Sequence, residues 1–97
     1  MNNYKLPAFY IIWLDDNRCL ELAVKLANGL RRRYKVEVSY EKKSLKSSLK
    51  SAFNPKLNIS FIIIIGEKEL SAGILQVKDI FEEKTFNVYI GDLLQSS

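Results

Sequence analysis

The sequence predicts an α/β domain in which the strands of a mainly parallel sheet alternate with helices on both faces. Two features support this fold class. Apolar runs typical of buried strands, AFYIIWL and ISFIIII, are separated by stretches in which apolar residues recur every three or four positions, as in amphipathic helices. The 97 residues are 47% hydrophobic and 27% charged, which is typical of a globular chain. We therefore expect a single domain over residues 1–97.

The first three predicted elements are a strand, a helix and a strand. The run from Ala8 to Leu14 is rich in aromatic and β-branched residues, which favours a buried strand. A helix follows and continues to about Arg33, because its apolar positions lie three and four residues apart. These positions are Cys19, Leu22, Ala23, Leu26, Ala27 and Leu30. From Tyr34 to Tyr40, Val36 and Val38 alternate with polar residues, as in a half-buried or edge strand. Packing is favoured for both tyrosines over stacking on an unpaired base.

The middle of the chain is predicted to hold a second helix and a central strand. The helix begins near Ser44 and ends at Asn54-Pro55, because proline disfavours the helical conformation in the residue before it. The run from Ile59 to Ile65 is apolar on both of its faces, which places it in the middle of the sheet. Right-handed crossovers put the two long helices on opposite faces of the sheet.

The last third of the chain predicts two more strands. Gly66 ends the central strand, and the residues from Glu67 to Ala72 can form one or two helical turns closed by Gly73. ILQVKDI and TFNVYI are the last two strands, and GDLLQSS is predicted to start a helix.

Positive charge is concentrated in one part of the sequence. Between Arg31 and Lys56 nine basic residues face two acidic ones, which gives this segment a net charge of +7 in a chain whose total is +4. A basic segment of this density is typical of proteins that bind nucleic acid. The alternative is a solvated face with cations that complement a helix C-terminus.

The composition excludes several kinds of site. The chain has no histidine and one cysteine, Cys19, which is expected to be a small core residue, so catalytic triads with histidine and an internal disulfide are ruled out. We expect no catalytic residue, metal or cofactor. The longest apolar runs fall short of the roughly 20 residues that a membrane span needs, so we expect a cytoplasmic protein without membrane contact.

The stretch FIIIIGEKELSAGILQVKD contains glycines but does not match a phosphate-binding loop. A Walker loop requires lysine and then serine or threonine after its second glycine, whereas Gly73 is followed by Ile74 and Leu75. The acids Glu67 and Glu69 would also repel a phosphate at the N-terminus of the following helix.

The same stretch resembles the C-terminal anticodon-binding domain of class II aminoacyl-tRNA synthetases, the group that charges histidine, glycine, threonine and proline. The shared pattern runs from Ile62 to Ile80: an apolar strand, Gly-Glu-x-Glu, a glycine four positions after the second acid, and a strand with Val-Lys. The likeness extends over residues 8 to 92, and the histidyl branch is the most similar. It implies a three-layer α/β/α fold with a five-stranded mixed sheet, order 2-1-3-4-5, one strand antiparallel.

The resemblance also implies binding of tRNA or another structured nucleic acid. In the threonyl branch, an acid of the Gly-Glu-x-Glu segment and a basic residue nine positions later read anticodon bases, and these positions correspond to Glu69 and Lys78. The alternative for this pair is a surface acid beside a strand lysine. Seven residues are expected to contact phosphates, which positions a nucleic acid without specifying its sequence. They are Arg31, Arg32, Arg33, Lys42, Lys43, Lys46 and Lys50.

Two other functions remain open. The chain is too short to include a class II catalytic domain, so it is expected to be either an excised domain or a stand-alone relative. The accessory subunit of the mitochondrial DNA polymerase reuses this domain, and an accessory subunit of a DNA polymerase or of another complex is therefore the alternative function. A small catalytic α/β protein is less favoured, since no nucleophile with a neighbouring base can be identified.

The end of the sequence predicts a protein contact. The family closes its sheet with a full last helix, of which IGDLLQSS would supply only the start. Apolar residues of the last strands, such as Phe86, Val88 and Ile90, would then be thinly covered. A homodimer or another protein partner is expected at this place.

Overall fold

The structure is a computed structural model, and it describes residues 8–14, 17–39, 50 and 58–96. Within these residues, the elements follow in this order: β1 (Ala8–Trp13), α1 (Asn17–Leu30), β2 (Lys35–Val38), β3 (Phe61–Ile65), α2 (Glu67–Ala72), β4 (Ile74–Asp79), β5 (Lys84–Tyr89) and α3 (Ile90–Ser96).

The strands form one sheet in the order β2-β1-β3-β4-β5. β1 lies parallel to both β2 and β3, whereas β4 runs antiparallel to β3 and β5 runs antiparallel to β4. β4 is therefore the one strand of opposite direction. This arrangement confirms the predicted five-stranded mixed sheet of order 2-1-3-4-5.

The first face of the sheet, defined as the face on which α1 packs, carries the larger core. Alternate residues of the strands point toward it, and among them Ile11, Ile63 and Leu75 have no exposed surface. α1 covers these strands with residues three and four positions apart. Its buried residues are Cys19, Ala23, Leu26, Ala27 and Leu30. Cys19 is fully buried, which confirms its predicted place in the core.

The second face is covered over β1 and β3 and open over β2, β4 and β5. Tyr10, Ile12 and Ile62 are buried on this face, whereas the side chains of β4 and β5 on the same face are mostly exposed. The predicted second helix, Ser44 to Asn54, would supply this cover, but most of it lies outside the described residues. Lys50, the one described position in it, has helical backbone and is exposed. The third layer of the fold therefore stays a prediction.

α1 ends three residues earlier than the sequence predicts, because its last turn tightens. The N–H groups of Arg32 and Arg33 donate to the carbonyls of Gly29 and Leu30, three residues back, at 3.3 and 3.0 Å. Residues 31–33 consequently form an exposed turn rather than the end of the helix.

β2 is shorter than predicted because the backbone of Tyr34, at its start, is bonded to the last turn of α1. The N–H of Tyr34 donates to the Leu30 carbonyl at 2.9 Å, and the Tyr34 ring packs edge-on against Phe9 with ring centroids 5.3 Å apart. The predicted packing of Tyr34 is thus confirmed, whereas Tyr40 lies outside the described residues. Ser39 follows the strand and its N–H still donates to the Ile11 carbonyl at 3.0 Å.

Candidate nucleic-acid interface

The segment with the Gly-Glu-x-Glu pattern reverses the chain at the carboxyl end of β3. Gly66 precedes α2, and Gly73 ends that helix with a positive φ of 73°, a conformation that glycine adopts without strain. The Gly73 N–H donates to the Glu69 carbonyl at 2.9 Å, and the Gly73 carbonyl accepts from the Ile90 N–H at 2.8 Å. The two glycines therefore serve a change of direction that makes β4 antiparallel.

Lys78 lies on the second face of the sheet. Its neighbours along β4, such as Val77, are buried on the first face, and successive side chains of a strand point to opposite faces. Lys78 pairs with Ile62 of β3 and with Thr85 of β5. It is half-buried and lies near the end of β4.

Glu69 lies in the middle of α2 and points away from the first-face contact that this helix makes with α1. Two residues earlier, Glu67 Oε1 lies 3.4 Å from Arg18 Nη2 of α1, on the first face. Residues two positions apart on an α-helix differ by about 200° in direction, so Glu69 points away from Arg18. Leu70, whose direction on the helix lies between those of Glu67 and Glu69, packs against the core of the first face. Glu69 is half-buried.

Lys78 and α2, the helix that carries Glu69, lie toward opposite ends of β4. Lys78 is four residues beyond Ile74, so its Cα lies about 13 Å along β4 from the end at which α2 joins the strand. The second-face side chains of β4 therefore lie between α2 and Lys78 along the strand.

Between α2 and Lys78, the second face of β4 and β5 is lined by polar side chains. Gln76 pairs with Asn87, and Lys78 pairs with Thr85, so these side chains share the second face. At the end of the row, Tyr89 pairs with Ile74 and is 64% exposed. We call this set the open β4–β5 surface. It consists of Glu69, Gln76, Lys78, Thr85, Asn87 and Tyr89.

The open β4–β5 surface offers the groups that recognise unpaired bases. A carboxylate accepts and an ammonium donates, while the amides of Gln76 and Asn87 do both. Base edges present the same mixture of donors and acceptors, and an exposed ring such as that of Tyr89 can stack on a base. The sequence interpretation missed Gln76, Asn87 and Tyr89. Their alternation with apolar residues in ILQVKD and TFNVY could have indicated that they share the polar face of the two strands.

The predicted phosphate contacts are only partly within the described residues. Arg31, Arg32 and Arg33 occupy the exposed turn that precedes β2, and the Arg31 Nη2 donates to the Val36 carbonyl at 3.3 Å. This turn lies at the end of the sheet where β1 and β2 begin and β4 finishes. Lys78 lies toward the same end, whereas α2 with Glu69 lies at the other end. Lys50 is exposed. Three others lie outside the described residues: Lys42, Lys43 and Lys46.

The described residues offer neither a metal site nor a membrane-spanning helix. No group of three or more histidine, cysteine, aspartate or glutamate side chains there is placed to hold a metal ion. The helices of the same part of the chain are all too short or too polar to cross a membrane.

Comparison with protein families finds one match that spans almost the whole chain. The model of the family described as "Anticodon binding domain" matches residues 8–96. Among curated proteins, the histidine–tRNA ligase of Campylobacter hominis is 33% identical over 91 residues, which is 94% of this chain and 22% of that protein. The threonine–tRNA ligase of Nanoarchaeum equitans is 32% identical over 79 residues, 81% of this chain and 12% of that protein.

Solved structures give the same result. The apo histidyl-tRNA synthetase of S. aureus superposes with a TM-score of 0.78 at 27% identity, over 97% of this chain and 27% of the synthetase. The chain thus spans roughly a quarter or less of the relatives it matches. All of these relatives are tRNA ligases or synthetases, which does not favour the alternative of a polymerase accessory subunit.

Proposed function

Because this chain belongs to the family of anticodon binding domains, as the Gly-Glu-x-Glu pattern predicts, we propose that it binds tRNA through the anticodon. Histidine–tRNA ligases recur among its relatives, so a histidine tRNA is the proposed ligand. The observation that carries the proposal is the open β4–β5 surface. It is exposed on the second face, and along β4 it lies between Lys78 and α2, the helix that carries Glu69; both residues correspond to base-reading positions in the family.

In this proposal, Glu69 and Lys78 read anticodon bases from the two ends of the open β4–β5 surface. Glu69 accepts hydrogen bonds from amino or imino groups of a base, and Lys78 donates to base acceptors. Gln76 and Asn87 lie between them and complete the hydrogen bonds of the same bases, while Tyr89 offers an exposed ring at the end next to α2.

The cations of the basic segment hold the phosphates. Arginine and lysine contacts to phosphates position a nucleic acid but do not read its sequence. We assign this role to seven residues: Arg31, Arg32, Arg33, Lys42, Lys43, Lys46 and Lys50. The exposed turn of residues 31–33 supports the assignment for its three arginines.

The proposal concerns recognition and not catalysis. The relatives' charging activity belongs to proteins four or more times longer than the matched segment, and no catalytic role is assigned to any residue of this chain. We propose that residues 1–97 act as one domain, in the cytoplasm.

Binding of histidine tRNA should weaken steeply as salt increases. If four of the seven cations contact phosphates, the affinity should fall roughly 100-fold between about 50 and 200 mM salt, because each contact releases condensed counterions. Mobility shift or filter binding measures this, with duplex DNA of similar length as the control for non-specific attraction. An affinity that does not change over this range would show that phosphates are not contacted.

A protein contact beside α3 is a second part of the proposal. Phe86 points to the first face from β5 and is 45% exposed, whereas Val88 and Ile90 pack partly against the core. A second copy of the chain would cover Phe86 most simply, because a twofold contact uses the same surface twice. Sedimentation at micromolar concentration should show a dimer that Phe86→Ser abolishes. A monomer whose amides in residues 85–92 resist hydrogen exchange would contradict this contact.

A further inference from the structure

A shallow depression lies between α1 and α3, on the opposite side of the sheet from the open β4–β5 surface. It has a volume of about 350 Å³ and is lined by Lys25, Asn28, Gly29, Arg32 and Leu94. Lys25, Asn28 and Arg32 are exposed, whereas Leu94 packs partly against the core of the first face. The depression thus has polar walls that reach into solvent and a floor formed by Gly29 and Leu94.

The polar walls come from one stripe of α1 and from the turn that follows the helix. Lys25 and Asn28 lie three residues apart on the same side of α1, and Arg32 follows in the turn of residues 31–33, after the helix ends at Leu30. Gly29 has no side chain to fill the space between them.

The charge around this stripe is strongly positive. Between Leu22 and Val36 the sequence contains five cations and no acid. These cations are Lys25, Arg31, Arg32, Arg33 and Lys35. The nearest acid on the stripe is Glu21, one helical turn before Lys25, and the acid of α3 is Asp92, two residues before Leu94.

Cations lead from the depression around the end of the sheet at which β2 begins. Arg32 lines the depression and also belongs to the exposed turn of residues 31–33, just before β2. From this turn the chain enters β2 at Lys35, which pairs with Ala8 and therefore points to the second face, as Lys78 does. Cations thus lead from α1 onto the second face at β2, and Lys78 lies toward the same end of the sheet on β4, beyond β1 and β3.

We infer that the depression on α1 binds the sugar–phosphate backbone of the same tRNA, at nucleotides outside the anticodon loop. Lys25 and Arg32 neutralise phosphates, and the Asn28 amide donates to a phosphate or ribose oxygen between them. Gly29 leaves room for the sugar–phosphate backbone to approach α1 closely, because it has no side chain. This inference rests on the proposed function and adds a second contact region to it.

The test compares two RNA probes on three variants. Lys25→Ala combined with Asn28→Ala removes the side chains of the depression and keeps Arg32, while Glu21→Gln removes the nearby acid. Lys68→Ala is the matched control. Lys68 is an exposed lysine of α2, which lies at the other end of the strands from the turn of residues 31–33. The probes are whole histidine tRNA and an RNA of its anticodon-loop sequence alone.

We expect the double variant to bind whole tRNA about three- to tenfold more weakly at 0.1 M salt, and to lower the slope of log affinity against log salt by about one. Binding of the loop RNA should not change. Glu21→Gln should strengthen binding of whole tRNA, and Lys68→Ala should leave both probes unaffected.

Three outcomes would overturn the inference. Unchanged binding of whole tRNA by the double variant would show that the depression is not a contact, while the proposed function stands. An equal loss for both probes would place Lys25 and Asn28 at the anticodon instead. A lower urea midpoint with unchanged RNA binding would mean that these side chains only support the C-terminal end of α3. If neither probe binds the unmodified chain, the proposed function itself is wrong.

Discussion

Replacing Glu69 by alanine should reduce the preference for the histidine anticodon over a swapped anticodon by roughly 5- to 100-fold, because a well-placed base contact discriminates by about 1–3 kcal/mol. Lys78→Ala should have an effect of the same size. The Glu69 side chain can be removed without opening the turn, since it is the main-chain carbonyl of Glu69 that accepts from the Gly73 N–H. Competition between tRNAs with the native and the swapped anticodon measures the preference.

The controls separate base reading from general attraction. Lys46→Ala and Lys50→Ala should weaken all RNAs about equally, as expected for phosphate contacts. Glu69→Gln keeps one acceptor oxygen and should retain part of the preference. An unmodified chain that binds both tRNAs equally well would refute the assignment of Glu69 and Lys78 as base readers.

Leu26→Ala should lower the free energy of unfolding by about 2–5 kcal/mol. Leu26 has no exposed surface and lies at the centre of the face that α1 packs on the sheet, so truncation removes buried methyl groups and leaves a cavity. Urea unfolding can be followed by the fluorescence of Trp13, the single tryptophan, which is buried and donates its indole N–H to the Ser39 carbonyl.

Val24→Ala is the matched control for Leu26→Ala. Val24 lies on the same helix but is 38% exposed, and substitutions at such positions change stability by about 0.5 kcal/mol or less. Equal losses for the two variants would mean that α1 does not pack on the sheet as described.

Local sequence patterns predicted the type of the described elements but not their exact ends. The three- and four-residue spacing from Cys19 to Leu30 identified the buried face of α1, because helix periodicity alone determines it. The end of α1 depended on how the chain turns after Leu30, where bonds to the third residue back replace those to the fourth. The order of the strands followed from the family resemblance, since strand pairing is not encoded in local periodicity.

The candidate interface was harder to predict than the fold. The spacing of Glu69 and Lys78 could be taken from the family pattern, but their places toward opposite ends of β4 depend on the direction of α2 and the register of β4. Gln76 and Asn87 became candidates only when the register showed that they pair on the face left open by the neighbouring strands. Exposure of that face is a property of the tertiary structure.

The central claim, that anticodon bases lie on the open β4–β5 surface, is tested most directly by a nuclear magnetic resonance titration. The isotopically labelled chain would be titrated with the anticodon stem–loop of histidine tRNA, and the changes in amide chemical shift would be placed on the structure. We expect the largest changes at Gln76, Lys78, Asn87 and Tyr89, with smaller changes in the turn of residues 31–33. Changes confined to that turn and α1, with none in β4 and β5, would contradict the claim.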